Sequence, residues 1–275
     1  DAGTDGRELW KSDGTTTGTE KVKDINPGSD NAFSGGFALL NGALYFRATD
    51  GSTGRELWKT DGTSAGTQQV KDIKPGSGDS FPTDLTVVNN TLYFSASDGN
   101  TGGLWKSDGN EAGTVLVKGG LKSRSDLTAF NGKLYFAADG GTDGIELWKS
   151  DGTTAGTVMV ADINTGSGDG FPPRGDDDFT VFDSKLYFQA EDGSHGPQLW
   201  KHDPDTGKTE RVKDITPGDG AEEELTVFDG ALYFTADGGG GIEPWKSDGT
   251  TTGTEKLKDI NPSGDSNPDG LAAFE

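Results

Sequence analysis

A repeated stretch built around tryptophan constrains this chain more than any other feature. It first appears at residues 8–15 as ELWKSDGT, and similar stretches surround each later tryptophan. The six tryptophans are Trp10, Trp58, Trp105, Trp148, Trp200 and Trp245. They lie between 43 and 52 residues apart. A self-similar unit of this length, with apolar runs between turn residues, is typical of a β-propeller or a solenoid.

Each repeat contains four short apolar segments. In the second repeat these are residues 85–88, 92–96, 104–106 and 115–118, separated by Asn-Asn or Asp-Gly turns. Such turns between apolar runs are strong hairpin signals, because Asn, Asp and Gly tolerate positive φ angles. The connection to the next repeat is longer. Four antiparallel strands followed by a longer crossing describe one propeller blade.

The segments also indicate how the blades pack. Leu-Tyr-Phe recurs in five repeats with no polar residue inside it, which predicts strands covered on both faces. We expect the tryptophans to lie between neighbouring blades. The Asp-Gly-Thr turns are predicted to be structural, since their short polar side chains can hydrogen-bond turn backbone.

The sequence therefore predicts an all-β fold, a single six-bladed β-propeller domain over residues 1–275 with four-stranded antiparallel blades. Residues 271–275 match 127–131, and Asp1 matches Asp139. The last blade should then be closed by both termini and lack one strand in this chain. We expect an incomplete chain, or a fragment of a longer one, rather than a three-stranded blade.

Composition and charge limit the classes of partner that this chain is expected to bind. The formal net charge is −22 and there is no cysteine. Such an acidic chain argues against nucleic acid or an anionic membrane as a partner. No apolar run approaches the length of a membrane span, so no membrane insertion is expected. We expect no organic cofactor.

The repeats resemble the bacterial ELWxxDGT repeat family. Three of them, around Trp10, Trp58 and Trp148, carry the complete motif. The repeat around Trp105 lacks the Glu and the Thr, and the one around Trp200 departs furthest. The resemblance implies a β-propeller from secreted or surface proteins of bacteria, cyanobacteria among them, in the extracellular, cell-surface or periplasmic space. It implies no catalytic residues.

Carboxylates precede the predicted innermost strand in four repeats. They are Asp84, Asp126, Asp178 and Glu224. We expect them to ring the mouth of a central channel, where like charges raise one another's pKa or recruit a cation. Irregular oxygen cages suit Ca²⁺. A water-filled acidic funnel is the alternative.

A second candidate site comes from two loops that depart from the repeat. We expect them to form a ligand notch of mixed charge. Its residues are Lys122, Arg124, Phe171, Arg174, Asp176 and Asp177.

Three functions remain open. The first is a non-catalytic binding or adhesion scaffold, with an unknown protein or glycan ligand on the channel-mouth face. The second is a glycan-binding propeller lectin that stacks sugars on Phe33, Phe81 and Phe171. The third, which has least support, is a hydrolase or lyase that uses channel carboxylates.

Overall fold

The computed structural model describes residues 6–33, 35–123, 127–171, 179–215 and 225–268. These residues form strands and turns without helices. In this part of the chain no helix is long and apolar enough to cross a membrane. The all-β prediction is confirmed.

The strands form six sheets, numbered here in chain order. Sheet 1 contains β1 (Leu9–Lys11) and β2 (Glu20–Lys23). Sheet 2 contains β3 (Ala38–Leu40), β4 (Ala43–Ala48), β5 (Glu56–Thr60) and β6 (Gln68–Lys71). Sheet 3 contains β7 (Thr83–Val88), β8 (Thr91–Ser97), β9 (Gly102–Ser107) and β10 (Val115–Gly119).

The later sheets repeat this plan. Sheet 4 contains β11 (Lys122–Ser123), β12 (Thr128–Phe130), β13 (Lys133–Asp139), β14 (Ile145–Ser150) and β15 (Val158–Ala161). Sheet 5 contains β16 (Thr180–Phe182), β17 (Lys185–Ala190), β18 (Gln198–His202) and β19 (Thr209–Arg211). Sheet 6 contains β20 (Thr226–Phe228), β21 (Ala231–Asp237), β22 (Ile242–Ser247) and β23 (Glu255–Lys256).

Sheets 2, 3, 5 and 6 are four-stranded antiparallel meanders, as predicted. Sheet 4 differs because β11 also pairs with β13, and sheet 1 has two strands among the described residues. Consecutive meanders of this kind are blades of the β-propeller type.

The chain forms two compact units. The first comprises Asp1–Ser123, Gly132–Leu134 and Asp151–Thr157, and the second comprises Arg124–Asn131, Tyr135–Ser150 and Val158–Glu275. The first unit contains sheets 1 to 3, while the second contains sheets 5 and 6 and most of sheet 4. A single domain over 1–275 stays a prediction.

Tryptophans fill the seams between sheets within each unit. Trp58 of sheet 2 packs with Leu9 and Val22 of sheet 1, and Trp245 of sheet 6 packs with Leu199 of sheet 5. Trp58, Trp105 and Trp245 are only 5–7% exposed, which confirms the prediction for these three. Trp10 departs from it at 43% exposed. Each buried tryptophan packs on the preceding sheet, and sheet 1 is the first in the chain.

The Asp-Gly-Thr turns are structural, as predicted. In four hairpins the Asp Oδ1 accepts bonds of 2.6–2.9 Å from the N–H and the hydroxyl of the Thr two residues later. These hydrogen bonds hold the pKa of each carboxyl below its usual value. The aspartates are Asp13, Asp61, Asp151 and Asp248.

Lysines connect four of the hairpins to the preceding sheet. The Lys after Trp donates from Nζ to the carbonyl of the Gly in the next Asp-Gly turn, at 2.8–3.0 Å. The pairs are Lys11–Gly62, Lys59–Gly109, Lys106–Gly152 and Lys201–Gly249. The motif thus carries a bond within its own hairpin and another to the neighbouring hairpin.

Replacing Trp58 by Ala should lower the free energy of unfolding by roughly 3–5 kcal/mol, because it empties a packed seam. Chemical denaturation measures this change. Leu39→Ala is the control, since Leu39 is 65% exposed and its loss should cost much less. Equal midpoints for Trp58→Ala and the unmodified protein would contradict the seam packing.

Candidate functional site

A buried glutamate fixes the long connection after four of the six sheets. Glu56, the first residue of the motif in sheet 2, is 0% exposed. Its Oε2 accepts bonds from the Ile73 N–H at 2.8 Å and the Ser80 hydroxyl at 2.7 Å. Burial raises the pKa of the Glu56 carboxyl to about 7, although the bonds from Ser80 and Ile73 act in the opposite direction.

We call the hydrogen bond from the Ile N–H to this side chain the clamp. It recurs with a fixed spacing of 17 residues. In four other repeats a side-chain oxygen accepts the Ile N–H at 2.7–3.0 Å. The pairs are Glu8–Ile25, Glu146–Ile163, Gln198–Ile215 and Glu243–Ile260. Sequence reasoning missed this role, although the joint occurrence of Glu in the motif and Ile in Val-Lys-Asp-Ile was its signal.

Sheet 3 shows what replaces the clamp. Gly103 stands at the Glu position, and there the backbones pair directly, with Gly119 opposite Gly103. A methyl group added at Gly103 would lie 2.1 Å from the Lys118 carbonyl oxygen. The glycine therefore permits the close approach that removes the need for a carboxylate.

Aspartates in the long connections also accept backbone hydrogen bonds. Asp79, Asp169 and Asp265 accept the N–H of the residue before the motif glutamate, or of its equivalent, at 2.7–3.1 Å. Among the described residues, no three His, Cys, Asp or Glu side chains cluster so that they could hold a metal ion.

Of the four predicted metal ligands, the structure describes Asp84. It lies in β7 with a φ of 57°, and its Oδ2 accepts a bond of 2.9 Å from the Thr83 hydroxyl. Its charge also acts on the Arg47 guanidinium. A guanidinium there already offsets part of the negative charge that a cation would need. Asp126, Asp178 and Glu224 lie outside the described residues.

The predicted ligand notch is corrected at Phe171. This side chain is 0% exposed and packs against Phe188 at 5.4 Å and Phe179 at 5.8 Å between ring centroids. It fills the core because β16 is preceded by a second phenylalanine. Lys122 is exposed in β11. The other notch residues, Arg124, Arg174, Asp176 and Asp177, lie outside the described part of the chain.

Phe81 behaves differently from its equivalents and forms the candidate site. It is 52% exposed, and the guanidinium carbons of Arg55 and Arg47 lie 5.6 Å and 6.0 Å from its ring centroid. Arg55 is also paired with Asp79, with 2.8 Å between Nη1 and Oδ2. We call Arg47, Arg55, Phe81 and Asp84 the Phe81 platform.

The backbone holds this platform in place. The N–H groups of Ser80 and Phe81 both donate to the Arg55 carbonyl oxygen, at 3.1 and 3.3 Å. Phe81 has a φ of 50°, which is an outlier for a bulky residue. Between Thr83 and Thr86 the pairing of β7 with β8 shifts by a bulge that contains Asp84. Strain and bulges of this kind are concentrated at functional sites.

Sequence differences distinguish the Phe81 platform from the equivalent places in the other repeats. In sheet 2, Phe33 stacks on Phe37 at 5.1 Å. The position of Phe37 is occupied by Leu85 in the repeat of Phe81. Phe33 is partly buried in this stack and Phe37 is 49% exposed, whereas Phe81 is 52% exposed with a leucine at this position. Arg47, in the middle of β4, also occurs in one repeat only, since the four matching strands carry Ser, Ala, Gln or Thr at this position.

Both histidines have structural partners. His195 lies between Asp192, at 3.1 Å, and Asp214, at 3.4 Å. His202 is 1% exposed, and its Nδ1 lies 2.9 Å from the Thr209 hydroxyl. Burial lowers the pKa of His202 to about 4, so the ring is neutral at pH 7.

No protein-family model and no curated protein sequence matches this chain. Solved structures do match this chain in fold. A puromycin hydrolase is 15% identical, with a TM-score of 0.52 over 93% of this chain and 43% of its own. A prolyl endopeptidase is 14% identical, with a TM-score of 0.54 over 91% and 39%. The chain thus spans about two fifths of these enzymes' length.

The β-propeller domain of the trilobed protease from Pyrococcus furiosus is 11% identical, with a TM-score of 0.49 over 93% of this chain and 75% of its own. At such identities the similarities to the two enzymes concern the fold alone.

The clamp makes stability depend on pH in a defined direction. Between pH 4.5 and about 7 the unfolded chain has lost the Glu56 proton and the folded chain keeps it. Stability from this group is therefore complete below pH 4.5 and is lost as pH rises to 7, by on the order of 3 kcal/mol. Glu56→Gln should flatten this loss, and Gln198 shows that an amide can hold the same Ile N–H.

Denaturation midpoints between pH 4.5 and 7.5 measure the effect. Glu111→Gln is the control, because Glu111 is exposed in a hairpin. It should follow the unmodified protein. Identical slopes for Glu56→Gln and the unmodified protein would show that Glu56 is already ionised in the folded state throughout this range.

Proposed function

We propose that the protein is a non-catalytic binding module of the β-propeller type that contacts its ligand through the Phe81 platform. The observation that carries the proposal is the half-exposed Phe81 ring beside two guanidinium groups. Of its equivalents, Phe171 is buried, and Phe33 is partly buried and stacked on Phe37, which is itself 49% exposed.

The platform suits a ligand that carries both an apolar surface and an acidic group. Phe81 offers the apolar contact, and the two arginines offer donors that match a carboxylate or sulfate. Asp79 and the backbone bonds hold Arg55 in advance, which lowers the ordering cost of binding. An exposed ring at a fixed position is what a binding surface needs.

A glycan with uronic acid or sulfate groups is the form of this ligand that we favour, since sugar rings stack on aromatic side chains. Of the three stacking rings considered from the sequence, Phe81 supports this role and Phe171 does not. A protein ligand with an acidic patch is the alternative.

Closure of the propeller is part of the same proposal. Six blades form a closed ring, with both termini in the last blade, as in the ELWxxDGT repeat family that the sequence resembles. In a closed ring Trp10 is covered like Trp58. By the same resemblance we place the protein in the extracellular or cell-surface space of a bacterium.

Calcium at the channel mouth remains a further part of the proposal. It rests on the sequence positions of Asp84, Asp126, Asp178 and Glu224 and on the net charge of −22. Arg47 beside Asp84 makes coordination uneven, so waters or the other carboxylates supply most of the ligands.

An array of neutral, carboxylated and sulfated oligosaccharides, probed with the labelled protein, tests the platform. We expect hits that carry acidic groups. Phe81→Ala and Arg47→Gln should each weaken such binding by about tenfold or more, since each removes a contact worth about 1.4 kcal/mol. Phe228→Ala is the matched control, because Phe228 is a 41% exposed ring in sheet 6.

A blank array, or hits that Phe81→Ala binds as well as the unmodified protein, would remove the platform from the proposal. Hits on neutral sugars alone, with no effect of Arg47→Gln, would contradict the acidic ligand.

Thermal unfolding in EDTA, magnesium and calcium tests the cation. Calcium at a hundredfold excess over Kd should stabilise the protein by about 2.7 kcal/mol. Asp178→Asn combined with Glu224→Gln should lose this gain, whereas Asp205→Asn, in an exposed hairpin, should keep it. Equal gains in all three chains would place the ions elsewhere, and no gain in any would end the cation proposal.

A further inference from the structure

Ser80 lies between the buried Glu56 and the Phe81 platform. It is 1% exposed, and its two hydrogen-bond donors face the same pair of acceptors. The Ser80 N–H lies 3.1 Å from the Arg55 carbonyl oxygen and 3.2 Å from the Glu56 Oε1. The Ser80 hydroxyl lies 2.7 Å from the Glu56 Oε2 and 3.2 Å from the Arg55 carbonyl oxygen. Each donor of Ser80 is therefore shared between the Glu56 carboxyl and the Arg55 carbonyl.

The charge on Glu56 decides how these donors are shared. A hydroxyl has one proton to donate, and a hydrogen bond to an ionised acceptor is roughly twice as strong as a neutral one. An ionised Glu56 therefore draws both donors of Ser80 away from Arg55. A protonated Glu56 can itself donate to the Ser80 hydroxyl, which then donates to the Arg55 carbonyl.

The Arg55 carbonyl is where this choice reaches the platform. It also accepts the Phe81 N–H at 3.3 Å, and the Arg55 guanidinium carbon lies 5.6 Å from the Phe81 ring centroid. The bonds from Ser80 to Arg55 thus hold the ring beside the guanidinium. Their loss loosens the spacing between the two.

Glu56 can change its charge near neutral pH. Burial raises the pKa of its carboxyl to about 7, against the bond from Ser80, and repulsion from Asp72 adds to the rise. Below this pH Glu56 is neutral, and above it Glu56 is ionised.

The charged groups around Glu56 are of both signs. On β4, on β5, in the turn between them and in the connection after β6 they are Arg47, Asp50, Arg55, Lys59, Asp72, Lys74 and Asp79. Arg55 and Asp79 form an ion pair with each other. On the side of sheet 3 the surroundings are apolar, since Ile73 shares its core with Phe94 and Ala96.

The other connections that carry a phenylalanine lack the hydroxyl. Ala32 stands at the position of Ser80 before Phe33. Gly170 stands there before Phe171. The combination of this serine with an aromatic neighbour is therefore confined, among the described connections, to the platform.

Ser266 has the hydroxyl without the ring. It donates to the Glu243 Oε2 at 2.8 Å and to the Ile242 carbonyl at 2.9 Å, as Ser80 does to its own pair. Asn267 follows it in place of an aromatic residue. Ser266 therefore offers a matched control away from the platform.

We propose that Ser80 is a positioning residue that passes the protonation state of Glu56 to the Phe81 platform. With Glu56 neutral, Ser80 holds the Phe81 loop to Arg55 and the platform is assembled. With Glu56 ionised, Ser80 turns to the carboxylate and the platform loosens. The inference rests on the proposed function and adds the regulation of the same site. Affinity for an acidic ligand then falls as pH rises through about 7.

Backbone amide shifts of the whole protein, followed by NMR from about pH 5.5 to 8.5, test this without a ligand. The Ile73 amide reports the charge of Glu56 directly, because it donates to the Glu56 Oε2. In the unmodified protein Ile73 and Phe81 should titrate together, with a midpoint near 7. In Ser80→Ala the Ile73 amide should still titrate, which also shows that the variant is folded, while Phe81 should lose most of its response. Ser266→Ala should follow the unmodified protein.

Three results of this titration would overturn the proposal. The first is a Phe81 amide that stays unchanged while Ile73 titrates. The second is a full Phe81 response in Ser80→Ala. The third is an Ile73 amide that does not titrate, because Glu56 would then keep one charge throughout.

A sulfated tetrasaccharide serves as the binding probe, since its sulfate groups stay ionised over this range. The unmodified protein should bind it at least about threefold more weakly near pH 8 than near pH 6. Glu56→Gln should bind it equally at both, and Ser80→Ala should lose most of the difference. Binding by the unmodified protein that does not change with pH would overturn the proposal. No binding at either pH would instead contradict the platform's ligand, and the amide shifts would still decide the role of Ser80.

Discussion

The hydrogen bond from a backbone Ile N–H to a buried carboxyl is the interaction on which the rest of the structure depends. It ties the chain leaving the outermost strand to the strand that carries the motif, as Glu56 does with Ile73. Sheet 5 uses an amide instead, and sheet 3 pairs its backbones directly. Once that connection is fixed, Asp79 and Ser80 reach their own partners around Arg55 and Glu56. The loop that carries Phe81 is therefore shaped from inside the sheet and not by its own sequence alone. Burial raises the pKa of such carboxyls to about 7 at Glu56 and Glu146, so this support responds to pH.

The sequence predicts features that depend on residues close together in the chain, and it misses features that depend on distant residues or on burial. Strands and turns were predictable, because Asp61 and Thr63 lie two residues apart and the Leu-Tyr-Phe runs need only their own pattern. The Glu56 clamp acts over 17 residues and through burial, which the motif does not reveal. Phe81 and Phe171 occupy the same place in their repeats but have opposite exposures. Phe171 packs against Phe179 and Phe188, and such contacts appear only once the sheet is assembled.

Acidity in this protein also has a local explanation. Many of its carboxylates accept backbone N–H groups, in hairpins such as that of Asp13 and in long connections such as that of Asp169. A carboxylate held in this way has its Oδ1 occupied by N–H or hydroxyl donors, and in the hairpins its pKa is lowered. A large negative charge is then a by-product of turn chemistry repeated many times. It does not by itself predict a cation, and the calcium proposal rests on position and not on charge.

Repetition makes departures from the pattern informative. Several repeats share the same hairpin, lysine and glutamate contacts, so a side chain outside this pattern stands out. Arg47 and Phe81 add side chains that the repeat does not need. Such a departure suits a ligand, because it exposes donors and a ring on a fixed loop.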